Sequence, residues 1–575
     1  MIRKGLGGFI DTLALLGLVS PLMATNPLIS PYLPILITGM LAMGGGCWIG
    51  VRLLQQYNKG AIFDSDVNIQ SSPLLLESVA GETVPDALLL GYTIDTGKPV
   101  WLSYDDAMRH IFILGQSGVG KTVAATNIMF QQIQRGGGMM FVDGKMNADD
   151  LETIYQMCAW AGREQDLLVI NPGNPSVSNS YNPILYGDPD EVASRIIGLI
   201  PSTENSPGSD YFKQAANQGL TVLVAAIQKT GLAYNFLDLT ILLMSAKAMA
   251  YLESLVPAES TEGKALALFL DQYRSKEGLD MKRMKEVFGG IGGRMFMFGT
   301  GLFGQICNTY DPEINIFNAI MQNKVIYVML PTMGKDVAAQ NFGKMVLGDL
   351  RTAVSWVQAT TESKRPSPPF LGFFDEAGSY VSSTWSRMFE QSRSARFILM
   401  PAVQTKANLE AVSPELAQMI MGNTWTKLYF KLGTQESAEE AGEFIGKEIR
   451  ITRSLSVTDS RSETANLTNS SPSMSSGDSS GLAYGEREQE EYRVSPDDLK
   501  SLGKGECIAV IGGNNVFPIK IPLIRYDAEF KKKIGKARLN HKRPRKVKGL
   551  GLMENVNRFL SNKDQADLKK QKDEE

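Results

Sequence analysis

The chain is poor in the residues that cross-link a fold or ligate metals. Of its 575 residues only four are cysteine and two are histidine. Cys47, Cys158, Cys307 and Cys507 lie far apart without a Cys-x-x-Cys spacing, and His110 and His541 form no cluster with them. This argues against a zinc site or a disulfide framework and fits a reducing compartment. An excess of one charge is missing as well. Lys and Arg number 58 against 61 Asp and Glu, a net charge of −3. No global nucleic-acid signature exists, so any basic surface must be local.

Long apolar runs, by contrast, are present. Residues 5–25 contain one acid, Asp11, and residues 33–54 carry no charge before Arg52. Each has the length of about 20 residues that a helix needs to cross a bilayer. Arg3 and Lys4 precede the first, Arg52 and Lys59 follow the second, and the connecting Thr25–Pro31 is uncharged. The positive-inside rule predicts two transmembrane helices with both ends in the cytoplasm and a very short external loop.

Gly115-Gln116-Ser117-Gly118-Val119-Gly120-Lys121-Thr122 fits the Walker A pattern at every fixed position. A short buried strand, Arg109–Leu114, precedes it and a helix-forming stretch, Val123–Gln134, follows, which is the context the motif requires. The loop amides and the helix N-terminus would cradle phosphate, with Lys121 reaching the β- and γ-phosphates and Thr122 binding Mg²⁺. Met139–Asp143 reads as the next strand of a βαβ unit with a parallel sheet, and Leu167–Pro172 as a third strand. Gly91–Leu102 reads as a hairpin turning at Thr96-Gly97.

From about 188 to 320 the pattern is helical, and 230–300 is expected to be an all-helical domain inserted into the nucleotide-binding domain. The strand pattern resumes at Lys324–Pro331. Pro369–Glu376 is an apolar strand ending in Asp-Glu, the Walker B form. Asp375 would hold Mg²⁺ through water and Glu376 would polarise the attacking water. Ser394–Thr405 is a further strand that begins with Arg396 and ends with Gln404. The pair reads either as a γ-phosphate sensor with an arginine acting on a neighbouring subunit, or as a surface arginine and a capping amide. Residues 454–483, rich in Ser, Thr, Asn and Gly, read as a flexible insertion. Residues 531–548 hold ten Lys or Arg and no acid. That run reads as a contact for DNA phosphates or anionic lipid, or as a solvated tail. Beyond it, Leu552, Val556, Phe559 and Leu560 fall on one helical face.

Taken together, residues 1–526 resemble the type IV secretion coupling proteins, the TraD/TraG/TrwB-like family. Beyond the Walker motifs, Tyr181-Asn182-Pro183-Ile184 is similar to the family's Asn-Pro segment. Ala395-Arg396-Phe397 is similar to its Gly-Arg finger strand, with Ala in place of Gly. Gln404–Glu410 resembles its Gln-Ser-x-x-Gln-Leu motif, Asn423 matches its asparagine before a strand, and Val494–Glu506 its closing segment. The resemblance implies an α/β, RecA-like P-loop NTPase domain with an inserted helical domain behind two transmembrane helices. It implies an ATP- and Mg²⁺-dependent homo-hexamer of the bacterial inner membrane, mostly cytoplasmic. In it Lys121, Glu376, Gln404 and, in trans, Arg396 would be catalytic, and Thr122 and Asp375 would hold the metal. The partners implied are a type IV secretion channel with its inner-membrane components, and adaptor or effector proteins or relaxase-bound DNA. The short external loop points to the DotL/IcmO-like branch, whose members carry a long C-terminal adaptor-binding extension. Two other readings are an FtsK/HerA-like DNA translocase and a recruitment scaffold that binds nucleotide without motor activity.

The expected division is a membrane anchor (residues 1–60), a nucleotide-binding domain in two parts (61–229 and 301–526) and a helical domain between them (230–300). A flexible insertion (454–483) and a basic tail (527–575) complete it.

Overall fold

A parallel strand buried on both faces reads as an unbroken apolar run, and Ile111–Leu114, Met139–Val142 and Val325–Met329 are such runs. In the computed structural model of the chain they lie side by side in an eleven-stranded sheet. The structure describes residues 86–541, apart from 201–208, 277, 335, 467–472, 525 and 527, together with Val84 and Gly551. Two compact units divide the chain. One, Met1–Ser72 with Ile94–Gly97, lies almost wholly outside the described residues, and the other contains everything that follows.

In chain order the strands are β1 (Ala87–Thr93), β2 (Pro99–Ser103), β3 (Ile111–Leu114), β4 (Met139–Asp143), β5 (Leu167–Ile170), the two-residue β6 (Arg274–Ser275) and β7 (Gly278–Leu279), and β8 (Val325–Met329). They continue with β9 (Phe370–Asp375), β10 (Phe397–Val403), β11 (Thr426–Tyr429), β12 (Lys447–Asn466), β13 (Ser473–Tyr492), β14 (Glu506–Ile511) and β15 (Asn515–Lys520). The main sheet runs β2-β1-β15-β14-β11-β3-β10-β9-β4-β8-β5. From β11 to β5 every neighbour is parallel. The other four strands extend it as an antiparallel edge.

Alternation along each strand sorts the core into two layers, because successive side chains point to opposite faces. Ile111, Ile113, Met139 and Phe141 face the layer covered by the helices Lys121–Gln134 and Ala148–Trp160. Phe112, Leu114, Met140 and Val142 face the layer built from the helices between Pro189 and Ala359.

Helices fill the region read as helical, about 188 to 320. Its helices run from Pro189 to Met321, interrupted by the β6–β7 ladder and by residues 201–208, which lie outside the described residues. Helix Ser209–Thr230 packs on Thr261–Asp271 and Met281–Gly299 so closely that a Cβ on Gly219 would lie 2.3 Å from Phe288 and 2.9 Å from Phe269. A boundary at 230 therefore cuts this helix from its packing partners. The Asn-Pro segment joins the region to the sheet. Asn182 donates to the carbonyls of Tyr234 (2.8 Å) and Thr309 (3.0 Å). The Tyr181 hydroxyl donates to Asp349 at 2.8 Å, and the Arg195–Asp349 ion pair, 2.8 Å, is buried beside it.

Two further expectations need correction. The segment read as a flexible insertion is a β-ribbon, β12 against β13, paired antiparallel from Lys447↔Tyr492 to Asn466↔Ser473. Composition pointed to a loop because few large apolar residues are present. Yet a hairpin can satisfy its backbone groups by pairing them with one another, which composition does not record. Of the two readings of the basic tail, the solvated one does not hold for its first residues, which pack on the body. Helix Ala528–Ile534 sets Phe530 against Trp160 and Tyr526. Glu152 accepts the Ala537 N–H, and Asn179 donates to the Asn540 carbonyl. The apolar stretches 5–25 and 33–54 and the stripe Leu552–Leu560 lie outside the described residues. Among the described residues no helix is long and apolar enough to cross a membrane.

Candidate nucleotide site

Ligands of open α/β sheets bind beyond the carboxyl ends of the parallel strands, and there the fold gathers most of the predicted site residues. The glycine loop leaves β3 and is anchored to both neighbouring strand ends. Gly115 N–H donates to the Val403 carbonyl (3.3 Å) and Gln116 N–H to that of Lys431 (3.0 Å). Gly115 admits no side chain, since a Cβ there would lie 2.5 Å from Phe430 Cβ. Gly120 caps the next helix at φ 119°, a region that L-residues avoid. That helix starts at Lys121 and has no acid in its first turn, so the positive end of its dipole is left for an external anion. Thr122, half-buried, is its second residue. Lys121 is 5% exposed and donates to the carbonyls of Gly115 (2.6 Å) and Gln116 (2.9 Å). Burial holds its ammonium below the usual lysine range, against the pull of Asp375 and Glu376. The closing segment seals the loop from below, with Gly505 N–H on the Val119 carbonyl at 2.8 Å.

Asp375 ends β9 and Glu376 follows it at φ 55°. Between β3 and β9 lies β10, whose end presents Gln404. The Gln404 amide donates to Glu376 Oε1 at 2.8 Å. Burial raises Asp375 above the ordinary carboxylate range. Glu376 meets the same penalty, but the hydrogen bonds from Lys145 and Gln404 outweigh it and hold it below that range.

Lys145 escaped the sequence reading. It reaches Glu376 Oε1 at 2.9 Å and Asp375 Oδ2 at 3.4 Å. The turn that delivers it is built by Asp143, which accepts the N–H groups of Lys145 (2.8 Å) and Asn147 (2.9 Å) and the Tyr327 hydroxyl (2.9 Å). The signal available was an Asp-Gly-Lys at the carboxyl end of a buried strand, but only the strand order shows that β4 pairs with β9.

Arg396 is not brought to this crevice. It precedes β10, at φ 60°, while Gln404 follows it, so the seven-residue strand places them at opposite edges of the sheet, about 25 Å apart. Its Nε is buried without a partner among the described residues, in a groove of about 790 Å³ that also includes Arg365 and Arg393. Arg365 braces the loop by donating to the Ser394 carbonyl at 2.6 Å. Asn423 ends the helix Pro414–Asn423 and donates to the Met419 carbonyl, 3.0 Å, away from the crevice.

The chain and its fold are similar to known proteins. Residues 369–502 match the family described as the TraM recognition site of TraD and TraG. The chain is 24% identical over 515 residues to the type 4 coupling protein DotL of Legionella pneumophila. The chain is similar to the type IV coupling proteins. That match covers 81% of this chain and 61% of DotL, so the chain spans about three fifths of the length of this curated relative. Among solved structures, the plasmid coupling protein TrwB with a non-hydrolysable ATP analogue superimposes with a TM-score of 0.51 at 13% identity, over 79% of this chain and 93% of TrwB. TrwB with ADP and Mg²⁺ gives 0.50 at 13% identity, over 82% and 95%. At that identity the likeness is one of fold, and the fold is that of a P-loop α/β NTPase.

Proposed function

We propose that the chain is a membrane-anchored ATPase that recruits substrates to a type IV secretion channel and energises their transfer. The observation that carries the reading is the meeting of Lys121, Asp375, Glu376 and Gln404 at one edge of the sheet. The donor set suits a magnesium nucleotide: glycine-loop amides, a helix start without acid, a buried ammonium, the Thr122 hydroxyl and a buried carboxylate. The nucleotide complexes of TrwB support the same assignment.

Thr122 and Asp375 would hold Mg²⁺, which would supply charge neutralisation at the phosphates. Lys121 and the amides of residues 115–122 hold the phosphate oxygens. Both donors to Glu376 use Oε1, so Oε2 is left to take a proton from water as that water attacks the γ-phosphorus and the bond to departing ADP breaks. Gln404 senses the γ-phosphate through its bond to Glu376. Arg396, distant from its own crevice, serves a neighbouring copy in a homo-hexamer. The two N-terminal apolar stretches anchor the ring in the inner membrane with the bulk in the cytoplasm. Cargo is effector or adaptor protein, or relaxase-bound DNA.

The test is steady-state hydrolysis and substrate transfer by full-length protein. Lys121→Ala is expected to abolish both, and Glu376→Gln to lower kcat by about 100-fold or more while nucleotide still binds. Normal transfer by Glu376→Gln would leave a nucleotide-binding scaffold. DNA-stimulated hydrolysis with no dependence on a secretion channel would favour an FtsK/HerA-like translocase.

A further inference from the structure

Lys145 is the cation at the centre of the candidate site, and nothing in the Walker motifs accounts for it. Four carboxyl groups converge here. Asp375 and Glu376 touch Lys145 directly, Asp143 builds its turn, and Asp150 stands behind them, pushed up to about 6 by burial and then by the charge of Asp143. Two ammonium groups, Lys121 and Lys145, face them. Lys121 is committed to the loop carbonyls, so among the described residues Lys145 alone makes ion pairs with Asp375 and Glu376.

Its two contacts differ in kind. The pair with Glu376 is short and shares an oxygen with Gln404. The pair with Asp375 is longer and involves the carboxylate expected to serve the metal. Lys145 itself is 45% exposed on a short loop, so its stem can turn without disturbing the core. Asp143, by contrast, is 1% exposed and saturated with hydrogen bonds, which fixes where that stem begins.

We propose that Lys145 is a positioning residue that couples metal loading to Glu376: it neutralises Asp375 and Glu376 together before loading, then gives up Asp375 and keeps Glu376. This rests on the nucleotide-site reading above and names the residue that makes the site respond to magnesium. Two consequences follow from the geometry. Lys145 competes with the metal for Asp375, so its removal eases magnesium loading. It also orients Glu376 with Gln404, so its removal slows the chemical step without weakening nucleotide binding.

The experiment uses full-length protein and two readouts, Mg²⁺ dependence of fluorescent ADP binding and the kcat and KM of ATP hydrolysis. Lys145→Ala is expected to lower kcat by about 10- to 100-fold with KM changed by less than about threefold. The Mg²⁺ concentration for half-maximal binding is expected to fall by about three- to tenfold. Lys145→Arg, which retains the charge, is expected to recover most of kcat. In a Glu376→Gln background, Lys145→Ala is expected to lower kcat no further, because the loss acts through Glu376. Should the alanine variant not fold, Lys145→Met keeps the stem and takes its place. Unchanged kcat and Mg²⁺ dependence, or losses that multiply with those of Glu376→Gln, would overturn the proposal. If wild-type protein neither binds nor hydrolyses nucleotide, it is the ATPase reading that fails.

Discussion

His110 shows how a single titratable side chain is committed to the neutral form. It precedes β3 at φ 72°, is 1% exposed, accepts the Leu399 N–H at 3.2 Å and meets Phe389 edge-on. Burial drives its pKa down from 6.5 to about 4. Between those values the unfolded chain binds a proton that the folded chain refuses, so stability is lost as pH falls through this window. His110 is expected to cost about 2 kcal/mol of stability between pH 7 and pH 5. Denaturation midpoints at the two pH values check it. His110→Asn, which tolerates positive φ, should flatten the difference. The sequence showed this histidine beside the glycine loop, but its distance from the chemistry follows from β3 running away from it. The same limit concealed Lys145. Motif spacing names Lys121, Asp375 and Glu376, because backbone loops and strand ends build those positions locally. A partner 231 positions along the chain from Glu376 becomes visible only when β4 is laid against β9.

Among elements, the β12–β13 ribbon is separable from the rest. Its strands form a two-stranded sheet of their own, closed at its base where the Arg493 N–H donates to the Gly446 carbonyl and Lys447 lies over the Tyr492 ring. Replacing residues 450–489 by Asn-Gly, a two-residue hairpin turn, should therefore remove β-signal in circular dichroism but shift the thermal midpoint by no more than about 2 °C. A fall of more than about 5 °C would mean that the ribbon contributes to the core. Elements buried on both faces were legible because they are apolar without interruption. The ribbon was not, because the pairing of one backbone with another leaves no mark in composition.

For the molecule as a whole, the two edges of the sheet carry different chemistry. Lys121, Asp375, Glu376 and Gln404 share the carboxyl edge, while Arg396 stands at the amino edge beside Arg365 and Arg393. One copy therefore cannot bring Arg396 to its own crevice, and in the proposed ring it would serve the crevice of a neighbour. Lys121→Ala and Arg396→Ala subunits, each inactive alone, should regain hydrolysis when co-assembled, since the first donates Arg396 to the crevice of the second. With random mixing in equal amounts, about a quarter of the interfaces pair them productively, so activity on the order of a tenth to a quarter of wild type is expected. No gain on mixing would remove the shared-site arrangement.

By itself the sequence determined what short-range rules control. Glycines mark the loop that curls around phosphate, apolar runs mark strands covered on both sides, and an Asp-Glu ends one of them. Tertiary structure alone decided strand order, and with it which ends become neighbours: β10 between β3 and β9, and β4 beside β9. The reason is physical. A strand's composition records how deeply it is buried, but the backbone hydrogen bonds that choose its neighbours are the same for every residue type.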